Sequence, residues 1–128
     1  MREDHPNLAV LADINITDIA GSAHLFTEDV VWHFVNPEAP DLAGAYVGRH
    51  GLKGFFDKLA VRTGGTFKVK VIEARAVGDE FAVAHTCNSM TLDGETFEVD
   101  VVLVWRFRDG RIAEVWDIPA VNSRRPAN

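Results

Sequence analysis

A chain of 128 residues, 47% of them hydrophobic and with a formal net charge of -6, can form one core without metal or disulfide support. Its acidic balance argues against nucleic acid as a partner, because phosphate binding needs a basic surface. The lone Cys87 cannot pair within the chain, no apolar run approaches the roughly 20 residues of a membrane span, and the opening Met1-Arg2-Glu3-Asp4-His5-Pro6 is charged rather than signal-like.

A single cytoplasmic domain with no membrane partner is therefore expected, its core spanning about residues 8–122 and a polar tail covering 123–128. Pro6 suits the first turn of a helix whose apolar face carries Leu8, Leu11 and Val10. A second short helix is predicted after Thr17 as N-cap, with Ile19, Ala20, Ala23 and Phe26 turned to the core. Residues 30–35 read as a short strand, and Pro37, Pro40 and Gly44 mark an irregular loop after it. A third helix is predicted over 50–61, where Leu52, Phe55, Phe56 and Leu59 recur at helical spacing and Gly64-Gly65 ends the run.

Strands are predicted over 67–76, 81–91, 95–108 and 111–119. Gly78-Asp79 and Asp93-Gly94 supply two of the turns. Asp109-Gly110 between alternating apolar runs is a strong hairpin signal for the third. Helices first and consecutive antiparallel strands afterwards give an α+β domain with helices on one face of a sheet. In the strand 95–108, Val99, Val101, Leu103, Trp105 and Phe107 share one face while Val102 and Val104 share the other. An antiparallel sheet normally turns one face to water. Apolar residues on both faces therefore predict that one side packs on the helices or lines a cavity and that the other forms a homodimer interface.

The segments Leu25-Phe26-Thr27-Glu28-Asp29-Val30-Val31-Trp32, Gly44-Ala45-Tyr46-Val47-Gly48 and Arg106-Phe107-Arg108-Asp109-Gly110-Arg111-Ile112 resemble the nuclear-transport-factor-two-like superfamily. SnoaL-like polyketide cyclases and ketosteroid isomerases share that fold. The resemblance covers nearly the whole chain, from Leu8 to about Asn122. It implies a cone-shaped barrel in which a curved, mainly antiparallel sheet wraps the N-terminal helices, and whose open end admits a small apolar or aromatic molecule.

The run Ala113-Glu114-Val115-Trp116-Asp117 is similar to a Glu-His-Trp-Asp run of SnoaL-like cyclases, whose Asp abstracts a proton. Asp117 falls on that base, and Val115 replaces the cyclases' His. The ketosteroid isomerase set fits less well: its second Asp falls on Leu103, its base falls near Phe34, and the first helix has no Tyr, so that machinery is not expected.

Strand parity puts Val115, Asp117 and Pro119 on one face. By the resemblance that face lines the pocket together with Leu103, Trp105 and His85. An acid in an apolar cup has a raised pKa, which suits a base near neutral pH; the bland alternative is a partly solvated carboxyl at the rim. His85 is expected to orient Asp117 or relay its proton. Parity in Trp32-His33-Phe34 depends on a bulge, so either Trp32 and Phe34 or His33 faces the cavity, with His33 taken as the pocket residue. Tyr46 is a candidate phenolic donor in a loop at the mouth, or a packing residue. Trp105 and Phe107 serve equally as an aromatic wall or as core.

Glu98 and Asp100 share the outward face, where a salt link or a subunit contact is expected. Cys87 is expected to be buried with no cation beside it, and Arg124-Arg125 to belong to a frayed end. The histidines at 5, 24, 33, 50 and 85 lack the paired spacing of zinc sites, and no Gly-rich phosphate loop precedes a helix. No metal or cofactor is expected.

The function this points to is a cofactor-free enzyme that removes a proton next to a carbonyl, of isomerase, cyclase or dehydratase type. Asp117 would be the base with His85 or His33 assisting, and Trp105, Leu103, Val115, Phe34, Tyr46 and Trp32 would contact the ligand. Two alternatives stand beside it: a non-catalytic ligand-binding module of the same fold, and a structural dimer whose cavity is filled by its own aromatic side chains.

Overall fold

The computed structural model describes residues 5–127; the charged opening at residues 1–4 and the last residue of the polar tail lie outside them. Helix α1 spans Pro6–Ala12 and a 3-10 turn spans Ala20–Leu25. Strand β1 (Phe26–Phe34), the short β2 (Gly44–Val47) and helix α2 (Gly48–Thr63) follow. The rest of the chain is β3 (Lys68–Val77), β4 (Phe81–Leu92), β5 (Glu95–Arg108), β6 (Arg111–Pro119) and β7 (Arg125–Pro126). The strands form one curved sheet in the order β2-β1-β6-β5-β4-β3, with β7 added beside β5. Only the β1–β6 contact is parallel. The sheet does not close into a barrel. It curls round the helices as the expected α+β cone.

Two tight turns join β4, β5 and β6 and anchor their register. Asp93 and Gly94 have φ of 53° and 82°, and Asp109 and Gly110 have φ of 52° and 78°. Positive φ at both central residues defines the hairpin turn whose twist matches the flanking strands. Leu92 therefore pairs with Glu95, and Arg108 with Arg111. With a one-residue shift in the β5–β6 ladder between Arg106 and Phe107, these anchors bring Ala84, Leu103 and Asp117 side by side across three strands.

Helix α2 lies across the inner face, burying Leu52, Phe55, Leu59 and Thr63. This spacing gives one apolar stripe along the helix. Gly64, left-handed at φ 60°, ends the helix, and the Gly65 N–H bonds the Ala60 carbonyl at 2.9 Å. At the other end the Arg49 guanidinium donates to the Phe26 carbonyl at 2.6 Å, which ties the first turn of α2 to the start of β1. The short α1 is clipped to the β3–β4 turn: the buried Asn7 amide donates to the Asp79 carbonyl at 3.0 Å. His5 accepts the Asn7 N–H at 3.1 Å and meets the Asp79 carboxylate at 2.8 Å.

Several local expectations are corrected. The expected loop before α2 contains β2. The predicted cap Thr17 instead donates to the Asn15 side chain, and it is Asp18 that accepts the Gly21 N–H, at 3.1 Å. The Arg124-Arg125 end is not frayed at Arg125, because β7 pairs with β5 through Glu98. Cys87 is half-buried, with the Arg125 guanidinium 3.5 Å from its sulfur.

Candidate functional site

Between α1, α2 and the inner face of the sheet lies a cavity of about 1000 Å³, at the top of the usual range for small-molecule sites. Its wall is mostly apolar, and its open volume runs against the alternative of a cone filled by its own aromatic side chains. Trp32, Phe34, Phe55, Leu103 and Trp105 line it, and so do two acids, Asp117 and Glu38, the second of which meets the Arg124 guanidinium at 3.5 Å.

Strand β6 sits near the middle of the sheet, paired with β1 on one side and β5 on the other. Its alternation sends Val115, Asp117 and Pro119 inward. Asp117 is only 9% exposed. Its Oδ2 accepts a hydrogen bond from the Trp32 Nε1–H at 3.2 Å. No cationic group pairs with it among the described residues. Burial without a counter-charge disfavours the carboxylate and pushes the pKa up to about 7, against a smaller opposing pull from the Trp32 N–H.

Trp32 is itself fixed by edge-on contacts with Trp105 at 5.6 Å and Phe56 at 5.3 Å, and by stacking on Phe55 at 5.9 Å. The donor is thus held by packing, and the other carboxylate oxygen has no protein partner among the described residues. Near pH 7 the group is divided between acid and base, so it can take a proton from a bound molecule or give one back.

The two histidines expected beside Asp117 lie on the opposite face of the sheet. His33 pairs with Glu114 at 2.7 Å and stacks on Trp116 at 5.4 Å. The cause is an irregularity in β1, where the register with β6 shifts between Phe26 and Val31. Past it, Trp32 lies beside Val115 and Phe34 beside Asp117, so Trp32 and Phe34 point inward and His33 outward. His85 pairs with Asp100 at 2.8 Å, also outside. Its strand partner is the outward Val102, whereas Ala84 is the residue facing Leu103. Counting back from the Asp93-Gly94 turn gives this register, and it outweighs the resemblance that placed His85 within.

Val115 is fully buried beside the site without lining the cavity. Tyr46 belongs to β2, where its hydroxyl donates to the Leu42 carbonyl at 2.6 Å and its ring packs 4.9 Å from Phe55. It braces α2 and is not a donor at the mouth. Two polar residues that the expectations missed, Thr86 and Asn88, line the cavity from β4. The same count from the turn would have found them, since they share the face of Ala84.

The outer face carries the salt links expected of Glu98 and Asp100. Arg125 bonds Glu98 at 2.7 Å and Asp100 at 3.0 Å. The His85 hydrogen bond first, and Arg125 second, hold the Asp100 carboxyl below its usual range. Among the described residues no helix is long and apolar enough to cross a membrane.

Solved structures with the same architecture are numerous. Bal32a, from a soil-derived mobile gene cassette, superposes with a TM-score of 0.80 at 24% identity, covering 90% of this chain and 89% of its own. TerC, co-crystallised with polyporic acid, gives 0.79 at 26% identity over 92% of this chain and 94% of its own. IdmH from Streptomyces antibioticus, a candidate polyketide cyclase, gives 0.72 at 18% identity over 93% and 95%. No curated protein sequence matches the chain. The model of the SnoaL-like domain matches residues 9–115, and the chain belongs to that family.

Proposed function

We propose that the cavity binds a small apolar or aromatic carbonyl compound and that Asp117 removes a proton from the carbon next to its carbonyl, without a cofactor. The observation that carries this is the buried, uncompensated carboxyl of Asp117 in the cavity wall. In the carboxylate form it takes the proton. The C–H electron pair becomes the new C=C bond and the carbonyl pair moves to oxygen, giving an enolate. Return of the proton to a different carbon makes an isomerase; attack of the enolate on a second carbonyl makes a cyclase. TerC's co-crystallisation with polyporic acid supports a small-molecule occupant for a cavity of this kind.

The rival reading is a non-catalytic ligand-binding module. It is favoured by one specific observation, the placement of His33 and His85 on the outer face, which leaves Trp32 as the one side-chain partner of Asp117 among the described residues. Exchange of the α-hydrogens of 2-tetralone in deuterated buffer separates the two. If Asp117 is the base, the wild-type protein accelerates exchange and Asp117→Asn loses on the order of 100- to 10000-fold, with little change in ketone affinity. Ketone binding with no acceleration above Asp117→Asn assigns the cavity to binding alone.

The outer face is proposed to meet a second copy of the chain. Val102 and Ile118 pair across β5 and β6, and with Val35 they are 46%, 40% and 47% exposed. Clusters containing both signs of charge border this band: His33, Glu114 and Arg106 at one end, His85, Asp100 and Arg125 at the other. Such a face is complementary to itself about a two-fold axis.

A further inference from the structure

We infer that Asn88 is a second recognition point in the cavity, donating a hydrogen bond from its side-chain amide to an oxygen at the end of the ligand remote from Asp117. This rests on the reading of the cavity as a small-molecule site and adds a specificity element to it.

Asn88 is 8% exposed and lines the cavity wall. Its Oδ1 accepts the Thr86 hydroxyl proton at 2.8 Å. That bond orients the amide, so Thr86 is a positioning residue. The Nδ2 group, with two N–H donors, has no partner among the described residues. Protein does not close over Nδ2, which opens on the cavity, and an occupant without an acceptor there would strip the group of water and leave it unpaired at the cost of its desolvation. A donor left free at a cavity wall is therefore matched to an acceptor brought by the occupant.

The register gives its distance from the acid. Asp117, Leu103 and Ala84 lie abreast, and Asn88 is four residues further along β4. At about 3.3 Å per residue along a strand and about 4.8 Å between strands, the two Cα atoms lie about 16 Å apart. The apolar wall between them includes Leu103, Val101 and Val99 of β5. The cavity thus selects an elongated apolar molecule with one end at Asp117 and a carbonyl-type acceptor towards the other. A ligand hydroxyl can also accept from Nδ2, but its own proton then competes with Thr86 for Oδ1, so a carbonyl fits the site better.

Fluorene and 9-fluorenone test this, being of similar size and differing by one carbonyl oxygen. Their dissociation constants, read from tryptophan fluorescence, are compared at pH 9, where Asp117 is ionised and cannot donate to the ketone. The wild-type protein is expected to prefer fluorenone. In Asn88→Leu the ratio of the two affinities should shift by roughly tenfold towards fluorene, the worth of one hydrogen bond in a buried site, while fluorene affinity is kept. Thr86→Val leaves the amide in place but free to turn, so discrimination between fluorenone and 9-fluorenol should shrink; this arm stands even if Asn88→Leu folds poorly. Fluorene binding with an unchanged ratio in both variants overturns the role of Asn88 alone. Failure of the wild-type protein to bind either compound overturns the cavity reading and the inference with it.

Discussion

Asp117 sets a local conflict between stability and use. Burial favours its neutral acid, so the folded chain keeps the proton up to about pH 7, whereas the unfolded chain releases it near the ordinary value of 3.8. Between those limits the folded state holds the extra proton, and stability falls as pH rises. The contribution is complete below about pH 4 and gone above about pH 7. A shift of this size corresponds to about 4 kcal/mol. Asp117→Asn keeps the shape and accepts the Trp32 N–H but has no charge to desolvate. Denaturant unfolding at pH 5 and pH 8 should show wild-type stability falling by about 2.5 kcal/mol, the part of that total left above pH 5, with the variant lacking this component and more stable than wild type at pH 8. Equal stability of the two proteins at pH 8 would mean that water reaches the carboxylate. A variant more stable than its parent yet slower in exchange is the mark of an acid retained for chemistry rather than for folding.

Helix α1 is the element most dependent on a few bonds. Seven residues are too few to hold a helix by themselves, and α1 stays in place through Asn7 and His5 on Asp79 together with Leu8 and Leu11 on the cavity wall. Asn7→Ala removes the buried bond to the Asp79 carbonyl and should cost about 1–3 kcal/mol. Hydrogen exchange should then rise in residues 6–12 while β5 and β6 remain protected; exchange unchanged in α1 would show that the apolar contacts suffice. Helix α1 was legible from Pro6 and its apolar face, and the β5–β6 hairpin from Asp109-Gly110, because local chemistry dictates both. The inward direction of Asp117 followed from simple alternation. His33, expected inward, lies outward, since the irregular register of β1 against β6 depends on a parallel partner some 80 residues away. For His85 the cause is different: the two-residue turn puts Ala84 opposite Leu103 and so His85 outward, and the family likeness that implies an inward His85 does not hold at this position. Strand β7 was missed because two residues carry no periodicity, and its pairing with β5 exists only once the sheet is formed.

At the scale of the whole molecule, the sheet is a wall with two apolar faces and different tasks for each. Leu103 and Trp105 look into the cavity, and Val102 and Val104, alternating with them, look out. Ion pairs border the outer band but do not cover it, and exposed pairs of this kind contribute little to stability. In the proposed dimer they would select and align the second copy. Val102 sits where Ile118 and His85 flank it across the neighbouring strands, so a glutamate there would put a charge into the apolar band beside an imidazole already engaged by Asp100. Sedimentation at micromolar concentration should give a dimer for the wild-type protein and a shift towards monomer for Val102→Glu. Fluorene should bind both, because the cavity is walled by one chain. A wild-type monomer at that concentration would refute the self-association. Loss of fluorene binding in a folded Val102→Glu monomer would instead mean that the sheet needs its partner to keep the curvature that opens the cone.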